Sequence, residues 1–130
     1  MKTLLPPGWP RPKGYANGVS ARGRVIVTAG VVGWNAEEEF EREDLAGQFR
    51  QTLVNMLSIL AEDGAGPEHI VRMTCYVTDV DDYRRSLSEI GAAWRELIGR
   101  HFPAMAVIGI SALVEPKAKI EIETMAVVPE

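Results

Sequence analysis

The chain has 130 residues, 46% of them hydrophobic and 25% charged, and carries a net charge of −4. That is enough apolar material for one core spanning residues 1–130 and too little chain for a second domain. The excess of Asp and Glu repels a polyanion, which argues against a nucleic-acid partner.

Cys75 has no second cysteine to pair with, so no internal disulfide forms and a buried, inert thiol is expected. No run is long and uncharged enough to span a bilayer, and the expectation is a cytoplasmic protein with no membrane partner.

The lead-in Pro6-Pro7-Gly8-Trp9-Pro10-Arg11-Pro12 is too rich in proline for a helix or a central strand and reads as an extended surface segment pinned by Trp9. Val19 to Gly30 reads as a hairpin that turns at Arg22-Gly23-Arg24 and ends in the β-branched run Val25 to Thr28. Val31 to Trp34 continue extended, followed by a solvated acidic loop from Glu37 to Glu43.

From Asp44 to Asp63, Leu45, Phe49, Leu53, Met56, Leu57 and Leu60 recur at spacings of three and four, the stripe of an amphipathic helix stopped by Gly64. Ile70 to Thr78 is a strand entered at Pro67-Glu68, with Val71, Met73, Cys75 and Val77 on one side and Ile70, Arg72, Thr74 and Tyr76 on the other. A second helix starts near Asp81 or Asp82, carries Tyr83, Leu87, Ile90, Trp94, Leu97 and Ile98 on its apolar stripe, and stops at Gly99.

Phe102 to Val128 closes the chain as a hairpin around Glu115-Pro116-Lys117. Its first half is apolar at nearly every position and asks for cover on both faces. In its second half Ile120, Ile122, Ala126 and Val128 share one face, and Lys119, Glu121, Glu123 and Met125 the other. The sum is an α+β domain in which two helices cover one face of a sheet and leave the other bare, a face that a second subunit would cover.

Motifs for common chemistries are absent from the chain. His69 and His101 have no Cys or Asp at ligand spacing, so no metal site is expected. There is no phosphate loop and no GxSxG elbow. The one constellation with chemical content is Glu121 and Glu123, whose carboxylates on one face of an extended strand lie about 7 Å apart and could hold a water between them. The bland alternative makes both of them interfacial salt-bridge partners, for example to Arg72 or Lys119.

Six segments in order bring a family into view. They are Gly14 to Asn17, Val25 to Gly30, Gln48 to Asn55, Ile70 to Thr74 running on to Asp79, Phe102-Pro103-Ala104, and Ile120 to Glu123. In order and spacing this set resembles the Rid family, the YjgF-like reactive intermediate deaminases. The resemblance implies a chorismate-mutase-like subunit, a homotrimer whose sheets form a central barrel, and ligand clefts between neighbouring subunits.

It also implies cofactor-free hydrolysis of small enamines and imines to ketones and ammonia. A glutamate on the last strand matches Glu121 and a cleft tyrosine matches Tyr15, with substrate contacts expected at Gly30, Val31, Trp34, Met105, Ala106 and Val107. The arginine that grips a substrate carboxylate in the family is Met105 in this chain, the serine before Gly30 is Ala29, and an asparagine of the second helix falls near Gly91. A thioether cannot form a charge-assisted fork, so the resemblance points to a more apolar, less carboxylate-dependent substrate. Arg24 and Arg72 could replace the missing arginine from another direction. The alternative is a non-catalytic homotrimer that binds a small molecule or a protein through the cleft.

Overall fold

Asp44 opens the first long helix because its carboxylate accepts the Gly47 N–H at 3.0 Å. In the computed structural model, which describes residues 1–130, this helix, α1, spans Leu45–Ala61. Its stripe Phe49, Leu53, Met56 and Leu60 is wholly removed from solvent, worth about 1.5–3 kcal/mol per side chain. Gly64, at φ 74°, terminates α1 in the left-handed region that the expected cap requires.

The remaining elements are β1 (Lys2–Leu4), β2 (Gly18–Ser20), β3 (Arg24–Val27), β4 (Val31–Val32), a 3-10 turn at Pro67–His69, β5 (Ile70–Val77), α2 (Val80–Arg85), α3 (Leu87–Leu97), β6 (Ala104–Gly109) and β7 (Ile120–Val128). The main sheet runs β3-β7-β5-β6, with β4 also paired to β7. Strand β7 is its hub, since β3 and β4 share one flank and β5 takes the other. The fold class is the α+β plan read from the sequence, with the helices packed on one face of a mixed sheet.

Several boundaries and pairings differ from expectation. The Phe102–Val128 hairpin does not form, because β5 lies between its two arms and pairs parallel with β6. Parallel neighbours need a crossover, and α2 and α3 provide it. Strand β6 is therefore an edge, with Val107 and Ile108 exposed in the single chain instead of covered on both faces.

The Val19–Gly30 hairpin is also absent. Lys2–Leu4 captures Gly18–Ser20 as a separate antiparallel pair, and Arg24–Val27 goes to β7. Trp9 is 59% exposed and pins nothing. The second helix begins at Val80, one or two residues early, where Asp79 caps it by accepting the Asp82 N–H at 3.1 Å, and it breaks at Ser86 into α2 and α3.

In β5 Met73, Cys75 and Val77 join the core as read, but Ile70 joins it in place of Val71 because the register slips between Ile70 and Arg72. Burial pushes the Cys75 thiol up to about 12, as an inert core cysteine requires. The two histidines have structural partners: His69 Nδ1 accepts the Gly66 N–H at 2.9 Å, and His101 Nε2 lies 2.6 Å from the Ile70 carbonyl.

Candidate active site

Glu121 is presented by alternation along β7. Ile120 and Ile122 point into the core and are fully buried, so Glu121 faces the side of the sheet that no helix covers. The turn between β3 and β4 folds over it. A Cβ built at Gly30 would overlap the Glu121 carboxylate, so the missing side chain is what lets that carboxylate lie against the backbone.

The β4 segment that follows is held by α1, where Asn55 Nδ2 donates to the carbonyls of Val32 at 2.9 Å and Trp34 at 2.7 Å. Gln51 Nε2 in turn donates to Asn55 Oδ1 at 2.8 Å. Val31 pairs with Ile122 and is buried, so it offers the site backbone and no side chain. Trp34 packs its ring on Phe40, with centroids 5.9 Å apart, beyond the end of β4.

Neither Glu121 nor Glu123 is ion-paired with Arg72 or Lys119, whose side chains make no salt bridge. Glu123 instead accepts a hydrogen bond from the Tyr76 hydroxyl at 2.6 Å. That bond raises the phenol above its ordinary range, because ionisation would place a second negative charge beside the carboxylate. The two glutamates thus have separate surroundings, and only Glu121 lies beneath the Gly30 turn.

Tyr15 and Met105 meet elsewhere, in a groove of about 600 Å³ on the helix side of β6. The N-terminal segment reaches it because the Ala16 N–H donates to the Pro103 carbonyl at 2.9 Å and Ala16 bridges Ala104, which docks Tyr15 beside the start of β6. Met105 and Val107 line the groove together with Ile90, Gly91 and Trp94 of α3. Ala106 does not join them. It pairs with Thr74 and faces the bare side of the sheet.

Tyr83 also lines the groove, and burial pushes its hydroxyl up to about 12, so it is neutral there. Trp94 is both core and wall, with Nε1 donating to the His101 carbonyl at 3.2 Å and its ring stacked on Phe102.

The expected residues therefore fall into two half-sites. Glu121, Gly30 and Ala106 lie on or over the bare face, with Val31 beside them but its side chain on the core face of its partner Ile122, whereas Tyr15, Met105 and Val107 lie on the helix face at the opposite edge. Tyr76 separates Glu121 from Ile108 across the sheet, so two strand spacings and the thickness of the sheet stand between the halves. Arg24 is held by the carboxylate and carbonyl of Asp63, and Arg72 is on the bare face. Neither reaches the groove.

Reading the sequence missed the positioning residues Gln48 and Asn55. Gln48 is buried and ties α1 to the start of β7, its Nε2 donating to the carbonyls of Arg42 at 3.1 Å and Lys117 at 3.0 Å while its Oε1 accepts the Lys119 N–H at 2.8 Å. Gln48, Thr52 and Asn55 are polar residues at helical spacing on an otherwise apolar helix, and that was the available signal.

A chain with this sheet, this helix crossover and this glutamate belongs to the endoribonuclease L-PSP family, the YjgF/Rid proteins, whose family model matches residues 10–128. Among its relatives is the 2-iminobutanoate/2-iminopropanoate deaminase of Escherichia coli K12, 32% identical over 117 residues that cover 87% of this chain and 86% of the relative. A RutC family protein of Aquifex aeolicus is 31% identical over 98% of this chain and 99% of its own.

Among solved structures, the Rid family protein YyfB of Yersinia pestis, described as of unknown function, superposes with a TM-score of 0.86 at 31% identity over 98% of both chains. The Escherichia coli YjgF gene product gives a TM-score of 0.72 at 31% identity, again over 98% of both.

Proposed function

We propose that this protein is a cofactor-free hydrolytic deaminase of small imines or enamines, with a more apolar substrate than its deaminase relatives. The observation that carries the reading is Glu121 seated beneath Gly30, an unpaired carboxylate on a face that invites a cover. Support comes also from deaminase relatives at about one-third identity.

In the proposed reaction Glu121 takes a proton from a water as its oxygen attacks the iminium carbon. Tyr15 hydrogen-bonds the nitrogen or the new hydroxyl. Glu121 then returns that proton to the amine nitrogen, the C–N bond breaks as the new hydroxyl gives its proton back to the Glu121 carboxylate, and this proton leaves with the ammonia, so that iminium plus water gives ketone plus ammonium. Because Glu121 and Tyr15 lie on opposite faces of one sheet, a complete site needs two copies, with the β6 edge of one set against the Gly30 flank of the next. A homotrimer closes this head-to-tail contact. Exposed Val25, Val27, Met125 and Ile108 would be covered in it.

The test is ammonia release from a panel of enzymatically generated imines, with and without carboxylates. Glu121→Gln should slow the best substrate by about 10²–10⁴-fold, and light scattering should give three times the chain mass. Equal rates for wild type and Glu121→Gln on every imine would end the catalytic reading. Binding without turnover would then favour the second reading, a small-molecule-binding homotrimer, which the replacements at Ala29, Gly91 and Met105 motivate.

A further inference from the structure

The groove beside Met105 has an uneven charge for a chain of net charge −4. Lys13, Arg95 and Arg100 line it, and none of its lining residues is acidic. All three cations are exposed, and none has a carboxylate within 4.0 Å, although five other arginines on the same chain are paired with carboxylates. The groove's deeper wall is apolar, built from buried Ile90 and Trp94 and half-buried Met105. Unpaired cations around an apolar floor match a molecule with an anionic head and a greasy body. A volume of about 600 Å³ is that of sites holding drug-sized ligands, well beyond the needs of an acid of a few carbons.

We infer that Lys13, Arg95 and Arg100 form an anion-binding collar at this groove and that its ligand is a medium-chain carboxylate whose hydrocarbon part lies over Ile90, Trp94 and Met105. Taken with the proposed deaminase reading, on which only this step rests, the substrate is an imine that carries such a carboxylate. The arginines then select it through the charged head, while Met105 favours length.

Titration calorimetry on the full chain tests the collar without reading turnover, using butanoate, hexanoate, octanoate and uncharged octanol. Affinity should rise about two- to four-fold per methylene up to octanoate, the upper figure being full burial of each group. Octanol should bind about five-fold more weakly than octanoate or worse. Combined Arg95→Ala and Arg100→Ala should remove most of the preference for octanoate over octanol, with Lys13 keeping a remainder, and the corresponding lysine pair should restore most of what is lost. These are exposed side chains, so circular dichroism should show an unchanged fold.

Equal binding of octanoate and octanol by the wild type, an undiminished preference in the alanine pair, or no binding of octanoate at millimolar concentration would each overturn the inference. A protein that binds octanoate through these arginines yet hydrolyses no imine would refute the deaminase reading and leave the collar standing.

Discussion

Replacing Gln48 with leucine keeps nearly the same volume but removes every polar contact that joins the first turn of α1 to the approach of β7. Three hydrogen bonds are lost, two donated to carbonyls and one accepted from an N–H. At about 1 kcal/mol each they sum to about 3 kcal/mol. Lys117 and Lys119 are exposed, so water re-satisfies part of the exposed backbone and the expected cost is about 2–3 kcal/mol.

With an unfolding entropy near 2.1 cal/mol/K per residue, a chain of this length should lose about 7–11 °C in Tm. Urea titration at fixed protein concentration is the assay, since self-association raises apparent stability. The midpoint should fall with the slope unchanged. Gln48→Glu should fare no better, because a carboxylate accepts from the Lys119 N–H but has nothing to donate to the two carbonyls. A Gln48→Leu protein within about 0.5 kcal/mol of wild type would show that the three contacts contribute no net stability and refute the reasoning.

Gly30→Ala should leave the fold standing, because the atoms in the way are the movable end of the Glu121 side chain. It should shift that carboxylate and lower imine hydrolysis by about 10²-fold; an unchanged rate would separate the Gly30 contact from activity. Cys75 should resist iodoacetamide in the native protein at pH 8 and react fully in urea, its thiol being pushed up to about 12 by burial. Native labelling at the rate of a free thiol would contradict its burial.

Burial works against ionisation of Asp44, but the Gly47 N–H and the Arg42 guanidinium outweigh it and hold the carboxyl below its ordinary range. A lowered folded value stabilises the protein above the unfolded value, near 3.8, and that contribution fades as pH falls through the folded one. Asp44→Ala should therefore cost about 1 kcal/mol at neutral pH and progressively less below about pH 3.8, as measured by urea unfolding across pH. A gap that is constant down to pH 2 would contradict the charge argument.

What the sequence disclosed and what it hid have physical causes. The faces of β7 and the stripe of α1 were legible because both elements are half-buried, so burial writes a period into the residues. The neighbours of β6 were not legible. Glu115-Pro116-Lys117 has turn chemistry, but turn chemistry does not say which strand lies alongside, and β5 enters from 32 residues before β6, with Arg72 opposite Ala104. The break at Ser86 escaped for a similar reason, since Tyr83, Leu87 and Ile90 keep helical spacing across it. Within the site, alternation on β7 showed Glu121 and Glu123 together on one face, and it was the family resemblance that singled out Glu121. The cationic side of the groove was not legible, because Lys13 joins Arg95 and Arg100 in its lining only through the docking of Ala16 on β6.

In the proposed homotrimer, an acid and a tyrosine on opposite sides of one sheet would make their loss repairable between chains. A chain without the Glu121 carboxylate and a chain without the Tyr15 hydroxyl would each assemble into an inactive ring. Rings formed from the mixture would contain some junctions where an intact acid from one chain faces an intact tyrosine from its neighbour. Denaturing the two dead proteins together and refolding them should restore a fraction of the hydrolysis that neither recovers alone.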